Sequence, residues 1–491
     1  MNDSNGLNGI PPWAIPDKST RYPKLKEFQK LLDADNGDLS YGLSCEVKPM
    51  NALYYDPQIP QIPEMISDAH GKLRKILMTY PYTGNDEFKY RDIFTSFLKS
   101  LPKYTKVYLL GNIAQKKKEE KDSKKIWDKL FEELRAIREK IKFKEDRLVV
   151  INPQNIQGFS IWAQDPFIPV LDPEANDGHI YLIEPIKFKE AEGTDGDRMI
   201  NGDSAIADCL AVANCFEGLC TNQSRVCLFF QGGNVLAGDD FLLVGQDDIN
   251  KTKALFGTCF SADGILLPNH PDPINADDSG VHRAFQYVFG QKKMMIPIGF
   301  DYRLKFPKNK AFKDKFYCKG EFQPFYHLDL FITPAGYLFD EPYYTLILAA
   351  PFNASAKGDP IADEWLIRPM NHWLLDIKMH LENIRIDGKR KFIVRSMPMP
   401  VYPKKSGNKR SWIPLSYNNC LVEITKHSRK VWVPQYADTE EESQLEEYDN
   451  LALQYWQNHG FTAIPVDGCF PLIRRGGSIR CITKCLHRSE K

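Results

Sequence analysis

The 491-residue chain has no net charge, since 64 Lys and Arg balance 64 Asp and Glu. No global field therefore draws it to nucleic acid or to an anionic membrane. No apolar run approaches the 18 residues of a transmembrane helix. The opening stretch MNDSNGLNGIPPWAIPDKSTRYP lacks a basic segment followed by an apolar one, as a secretory leader would require. A soluble, cytoplasmic protein is expected, with no nucleic acid or membrane among its partners. The 11 cysteines are odd in number and form no C-x-x-C pair, which argues against a complete disulfide framework and against a zinc ribbon. Reduced thiols suit them. Cys209, Cys215, Cys220 and Cys227 cluster with irregular spacing across an apolar, helical pattern, and are assigned structural roles. No repeat is visible as sequence identity.

What is present is ordinary for a protein with a large core: 43% hydrophobic and 26% charged residues. Residues 1–70, rich in Pro, Asn and Asp, are expected to form an N-terminal arm, and 71–491 a catalytic domain. From Lys72 onward, β-branched and aromatic runs of about 4 to 8 residues recur between Gly, Pro, Asn or Asp. They include KILMTYPY, KVYLLGN, HIYLIEP, RVCLFFQ, LDLFITP and KVWVPQY. Apolar residues spaced by three and four alternate with them, as in SKKIWDKLFEELRAIREKIK, DEWLIRPMNHWLLDIKMHLENI and EEYDNLALQYWQNHG. Strands interleaved with helices give an α/β class. The charge runs at 116–125 and 438–449 read as solvated helix faces or turns.

Three segments carry chemistry. In the last twenty residues, Arg475-Gly476-Gly477-Ser478-Ile479-Arg480 delivers Cys481. A thiol after a Gly-Gly turn is expected to have exposed backbone and room for a flat substrate, with flanking Arg favouring the thiolate. Far upstream, Trp162-Ala163-Gln164-Asp165 and Tyr326-His327-Leu328-Asp329 place acids and an imidazole in apolar, strand-like surroundings. Two residues apart, His327 and Asp329 would point to one strand face. Two carboxylates, one imidazole and one thiol suffice to hold a guanidinium, attack its central carbon and shuttle protons. Plainer roles remain open to each: Cys481 as packing, His327 as a core histidine, Asp165 as a turn cap before Pro166. Gly232, Gly233 and Asn234 form either a tight turn or a close backbone approach to a ligand. Arg480 either stabilises the thiolate or meets a substrate carboxylate. Cys485 is expected to be structural.

With these segments in order, the chain resembles the guanidine-modifying pentein superfamily, which includes agmatine deiminases, arginine deiminases, peptidylarginine deiminases and amidinotransferases. WAQDPF resembles the family's Trp-x-[Arg/Gln]-Asp, HLDLFITP its His-x-Asp, and FQGGNVLAGDDFLLVG its Gly-Gly-Asn strand pair. SYNNCLVEITKHSRKVWVPQY followed by GGSIRCIT is similar to the agmatine deiminase C-terminal end. One departure stands out: those deiminases place a Glu four residues before the catalytic His, where this chain has Gln323.

The resemblance implies a five-bladed α/β-propeller of ββαβ units with an N-terminal extension and insertions, among them residues 186–225. It implies Cys481 as nucleophile, His327 as acid and base, and Asp165 and Asp329 as carboxylates gripping the guanidinium. Trp162, Gly233, Asn234, Asn419 and Gly477 would line the substrate. No metal or organic cofactor is expected, and no calcium-binding acidic array is visible. The implied activity is a deiminase that converts agmatine, arginine, peptidyl-arginine or another guanidine to a ureido product and ammonia. An amidinotransferase using the same residues is the alternative, and an inactive binding protein on the same scaffold is the third reading. A monomer or a homodimer is allowed.

Overall fold

The structure, a computed structural model, describes residues 59–489 apart from 83–89, 114–119, 152–159, 174–178, 186–205, 214–215, 217–219, 227, 260–276, 301–321, 340, 355–361, 363–365, 407–408 and 438–439. Most of the expected arm, residues 1–58, and most of the 186–225 insertion thus lie outside the described residues. So do the side chains of Cys209, Cys215, Cys220 and Cys227. The class is α/β, and contacts divide the chain into two compact units, Met1–Ile66 with Ile151–Pro297, and Ser67–Val150 with Ile298–Lys491.

One connection pattern recurs within each unit. In the first unit, Ile168–Leu171 pairs antiparallel with His179–Glu184, the chain passes through helix Ile206–Ala213, and Cys220–Arg225 returns parallel to His179–Glu184. A parallel return needs a crossover, and the helix supplies it. Next, Val235–Ala237 pairs antiparallel with Phe241–Gly245, which also neighbours Met294–Ile298 after helix Asp278–Phe289. The core of this unit gathers Ile168, Val170 and Ile183 with Val235, Leu242, Val244, Phe285 and Phe289.

The second unit holds three such ββαβ arrangements. Ile332–Tyr337 pairs with Tyr344–Asn353, helix Arg368–Asn383 follows, and Phe392–Ser406 returns parallel. Leu421–Ile424 pairs with Arg429–Pro434, then helix Glu446–Asn458 leads to the parallel strand Thr462–Val466. The third joins distant stretches: Thr483–Ser489 pairs antiparallel with Lys72–Tyr82, and helix Tyr90–Ser100 leads to the parallel strand Lys106–Ile113. The helix and strand periods read from the sequence find their elements here. Pro369 stands in the first turn of its helix, where a missing N–H costs nothing.

Two expectations fail locally. Of RVCLFFQ only Arg225 lies in a strand, the polar stretch Cys220–Arg225; Val226 and residues 228–231 do not. Its register sets Arg225 against Glu184, and the Arg225 guanidinium meets the fully buried Glu184 carboxylate at 2.8 Å. Leu228 and Phe230 enter the core from irregular backbone instead. The acidic run at 438–449 is not wholly solvated either, because Asp449 is 3% exposed. It lies on the buried stripe of its helix with Ala452 and Trp456, at the three- and four-residue spacing of a core face. Its carboxylate accepts from the Tyr417 hydroxyl at 2.7 Å, the Tyr436 N–H at 2.8 Å and the Ala437 N–H at 2.8 Å.

Replacing Asp449 by Ala strands three buried donors. A loss of about 3 kcal/mol in unfolding free energy is expected, measured by urea denaturation, with Asp449→Asn losing less because one amide oxygen still accepts.

Candidate active site

The candidate residues share a topological address: each stands just before the first strand of a ββαβ arrangement. Asp329 precedes Ile332–Tyr337, Asn419 precedes Leu421–Ile424, and Cys481 precedes Thr483–Ser489. In the first unit, Asp165 precedes Ile168–Leu171 and Asn234 precedes Val235–Ala237.

Cys481 sits in a helical turn, not an extended strand. The Ile482 N–H donates to Ser478 O at 3.3 Å, the Thr483 N–H to Arg480 O at 3.1 Å, and the Thr483 hydroxyl to Ile479 O at 2.8 Å. The backbone reaches this turn through Gly476, at φ +97°. A Cβ there would lie 2.7 Å from the Tyr326 Oη, so only glycine fits. The Tyr326 hydroxyl donates to Gly476 O, and its ring meets the His327 ring edge-on with centroids 4.5 Å apart. His327 is therefore tied to the glycine turn through its neighbour. The exposed turn expected around Cys481 is in fact buried from Gly476 onward, and Cys481 itself is 3% exposed.

The Asn419 side chain organises this turn. Its Oδ1 accepts from the Ser478 N–H at 3.0 Å and the Cys481 N–H at 3.2 Å. Its Nδ2 donates to Cys481 Sγ at 3.1 Å and to Asp329 O at 3.4 Å. One amide thus fixes the sulfur, points an N–H at it and joins it to the Asp329 backbone. Behind it, the Ser416 hydroxyl accepts from the Asn419 N–H at 3.3 Å, and the Tyr436 hydroxyl donates to Ser416 O at 2.7 Å. Tyr436 N–H in turn reaches Asp449.

Asp329 does not share a strand face with His327. Leu328–Leu330 is a single 3-10 turn, while His327 before it is extended, so the alternation that the sequence suggests does not apply. The turn buries Asp329 completely. Its Oδ2 accepts from Arg480 Nη1 at 2.7 Å and lies 3.7 Å from Cys481 Sγ. Its Oδ1 is buried with no hydrogen-bond partner among the described residues. Arg480 turns its other amino group to Asp68 Oδ1 at 2.6 Å. It neither flanks the thiolate as a free charge nor waits for a substrate carboxylate. Burial pushes the Asp329 carboxyl up from its usual range while Arg480 pulls it back. For Arg480, burial works against the charge, and Asp68 and Asp329 outweigh it, raising the guanidinium above its ordinary value. The formal charges of these three side chains sum to one negative, and the Arg488 guanidinium, hydrogen-bonded to the Asp68 carbonyl at 2.8 Å, is a further cation beside them.

The first-unit residues form their own arrangement. The Gln164 side chain donates to Gly232 O at 3.0 Å, linking the Trp162–Asp165 turn to the Gly232–Asn234 turn. Asp165 N–H closes its turn on Trp162 O at 3.2 Å. Asn234 donates to Asp248 at 2.8 Å and packs over Gly245, where a Cβ would fall 2.1 Å from its Oδ1. Gly233 is buried in that 3-10 turn. In the second unit, the Gly477 N–H approaches Leu472 O at 3.4 Å, and Cys485 lies in a strand opposite Ile76.

Sequence reasoning missed Asp68 and the structural part of Arg480. A lone loop aspartate 412 residues from its partner leaves no signal. Asp449 did leave one, its place on the apolar stripe of a helix.

No family model matches the chain, and no curated protein does. Among solved structures, it is similar to a protein provisionally named a peptidyl-arginine deiminase, with a TM-score of 0.51 at 16% identity over 88% of this chain and 100% of that one. The chain has a pentein fold. It is also similar to the C. jejuni agmatine deiminase (TM-score 0.47, 14% identity, 88% of this chain and 98% of that) and to a dimethylarginine dimethylaminohydrolase (0.29, 10%, 84% and 99%). At 16% identity the assignment extends to the fold alone, and rests on the first comparison. Among the described residues, no helix is long and apolar enough to cross a membrane.

Two measurements probe the turn that carries Cys481. Asn419→Ala removes a donor from the sulfur and the anchor of its turn, so alkylation of Cys481 should slow about tenfold, the worth of a hydrogen bond to a charged atom. Mass spectrometry of the Cys481 peptide reads it, and Asn419→Asp should slow it further. Next to Asn419, burial pushes the Cys420 thiol from 9.0 up to about 12. Since the folded value is the higher, its contribution to stability is present below the unfolded value and lost as pH rises towards the folded one. Between about pH 9 and 11 the native protein should lose about 1.4 kcal/mol per pH unit more than Cys420→Ala in urea denaturation.

Proposed function

We propose that this protein is a cysteine-dependent hydrolase of a terminal guanidine, a deiminase that releases ammonia and leaves a ureido product. The observation that supports it is the buried carboxylate beside the thiol: one oxygen of Asp329 has no hydrogen-bond partner among the described residues, and Cys481 Sγ lies 3.7 Å from the other. A buried carboxylate oxygen left without a donor is costly, and a cationic N–H group satisfies it. A guanidinium offers planar N–H donors that match a carboxylate edge and a carbon that a thiolate can attack.

In this reading the Cys481 thiolate forms a bond to the guanidinium carbon, and His327 gives a proton to one nitrogen as its bond to carbon breaks and ammonia leaves. The remaining S-alkylthiouronium is attacked by water, whose proton goes to His327. The carbon–sulfur bond then breaks as the adduct's hydroxyl proton passes to solvent, which frees the ureido product and restores the thiolate. Asp329 holds the guanidinium edge. Asp165 and Trp162, with Gly233 and Asn234, enter through the resemblance of their segments to the superfamily's motifs. Asn419 holds the sulfur and Gly477 leads into its turn. The five-bladed closure belongs to the same reading, supported by two ββαβ arrangements in one unit and three in the other, each led by a candidate residue. The thiol chemistry suits a reducing cytoplasm. Agmatine, arginine and peptidyl-arginine are the substrate candidates.

The test is ammonia release from agmatine, arginine and an arginine-containing peptide by native protein and Cys481→Ala. Activity with one substrate that falls by at least about a thousandfold in the variant is expected for loss of a nucleophile. Silence with all three, but release of a diamine or ornithine once an acceptor amine is added, would replace the hydrolase by an amidinotransferase.

A further inference from the structure

We propose that Asp68 is a positioning and specificity-determining residue of this site, which through Arg480 orients Asp329 and gives the cluster the charge that selects a cationic substrate head. The proposal rests on the deiminase reading and deepens it.

Three observations carry it. First, Arg480 spans two carboxylates with different amino groups of one planar fork, Nη1 to Asp329 at 2.7 Å and Nη2 to Asp68 at 2.6 Å. Planarity then fixes one carboxylate relative to the other. Second, Asp68 is held independently of Arg480. Its carbonyl accepts from Arg488 Nη2 at 2.8 Å, which also donates to Val422 O at 2.8 Å. Arg488 Nη1 reaches Ala69 O at 3.1 Å and Gly71 O at 2.9 Å. The Ile424 N–H donates to Ala69 O and the Gly71 N–H to Ile424 O, both at 2.8 Å. Asp68 is thus a fixed post that Arg480 follows. Third, the two side chains Arg480 meets differ in access: Asp329 is wholly buried, while Asp68 is 17% exposed.

The charges decide the consequence. Without Asp68, Arg480 would neutralise Asp329, and an arriving guanidinium would meet a cluster of no net charge with a cation already on its carboxylate. With Asp68, Arg480 is balanced by one acid, and the second remains for substrate. Arg480 also adjoins Cys481 in the chain, so the same fork that orients the carboxylate anchors the turn of the thiol.

The test compares alkylation of Cys481 by cationic 2-chloroacetamidine with that by neutral iodoacetamide, each normalised to its rate with glutathione and read by mass spectrometry. Native protein should favour the cationic reagent, and Asp68→Asn should cut that preference about tenfold, as expected for one charge near a partly buried site. In turnover of a guanidine, the same variant should raise KM more than it lowers kcat. Asp68→Glu, which keeps the charge, should restore most of the preference. It also serves if Asp68→Asn does not fold: a Glu variant that has lost all preference overturns the proposal. A native protein that favours the cation, with Asp68→Asn favouring it equally, overturns the role of Asp68 and leaves the deiminase reading standing. A native Cys481 with no preference overturns both.

Discussion

A guanidinium buried between two carboxylates is the constraint on which the candidate site depends. Placing Arg480, Asp329 and Asp68 out of water costs several kcal/mol per ion, and the triad holds only because each charge has a close partner of opposite sign. That cost makes the geometry strict. Removing Arg480 would leave two acids without their shared cation, so the fork, the 3-10 turn of Asp329 and the stapled segment around Asp68 constrain one another. The Cys481 turn inherits the constraint twice, through its chain neighbour Arg480 and through the Asn419 amide that joins sulfur to the Asp329 backbone.

Chemistry gathers at one topological position for a physical reason. Strands of a ββαβ arrangement, paired on one side by an antiparallel neighbour and on the other by a parallel return, have their N–H and C=O groups committed to the ladder. The residues just before the first strand do not, so their backbone is free to turn and their side chains can aim away from the sheet. Asp329, Asn419 and Cys481 each use that freedom differently: a 3-10 turn, a side-chain clamp, and a helical turn behind a left-handed glycine. The arrangements share connectivity without sequence identity, because pairing and crossover are set by apolar period, whereas the leading residue is set by chemistry.

This explains what could be read beforehand. Element types were legible wherever burial imposed a period, as in the Glu446–Asn458 helix; Cys481 and Asp329 stood out as candidates because reactive side chains interrupt apolar sequence, and Asn419 through the resemblance of its segment. The Cys220–Arg225 strand was not, since its polar sequence is tolerated through the buried Glu184 partner and not through packing. Nor was the turn at Asp329, where the motif resembles a strand start and the backbone takes a tighter path. Asp68 was hidden for the simplest reason, that an ion pair between residues 412 apart is a property of the fold and carries no local pattern. The Arg before the thiol looked like a free positive charge, and only the fold reveals that two acids already hold it.

The chain's balanced net charge sharpens the meaning of this cluster. A field spread over the surface decays within about 10 Å at ordinary ionic strength, whereas a net charge inside a low-dielectric wall is felt at short range with little screening. In the proposed reading, selection of a cation is delegated to three residues, not to the surface. A guanidinium approaching Asp329 faces the guanidinium of Arg480 across the same carboxylate, and two cations sharing one anion repel. Asp68 relieves that repulsion by matching the Arg480 charge from the far side. In that reading, the acid that never touches the ligand decides whether the acid beside the thiol can hold it.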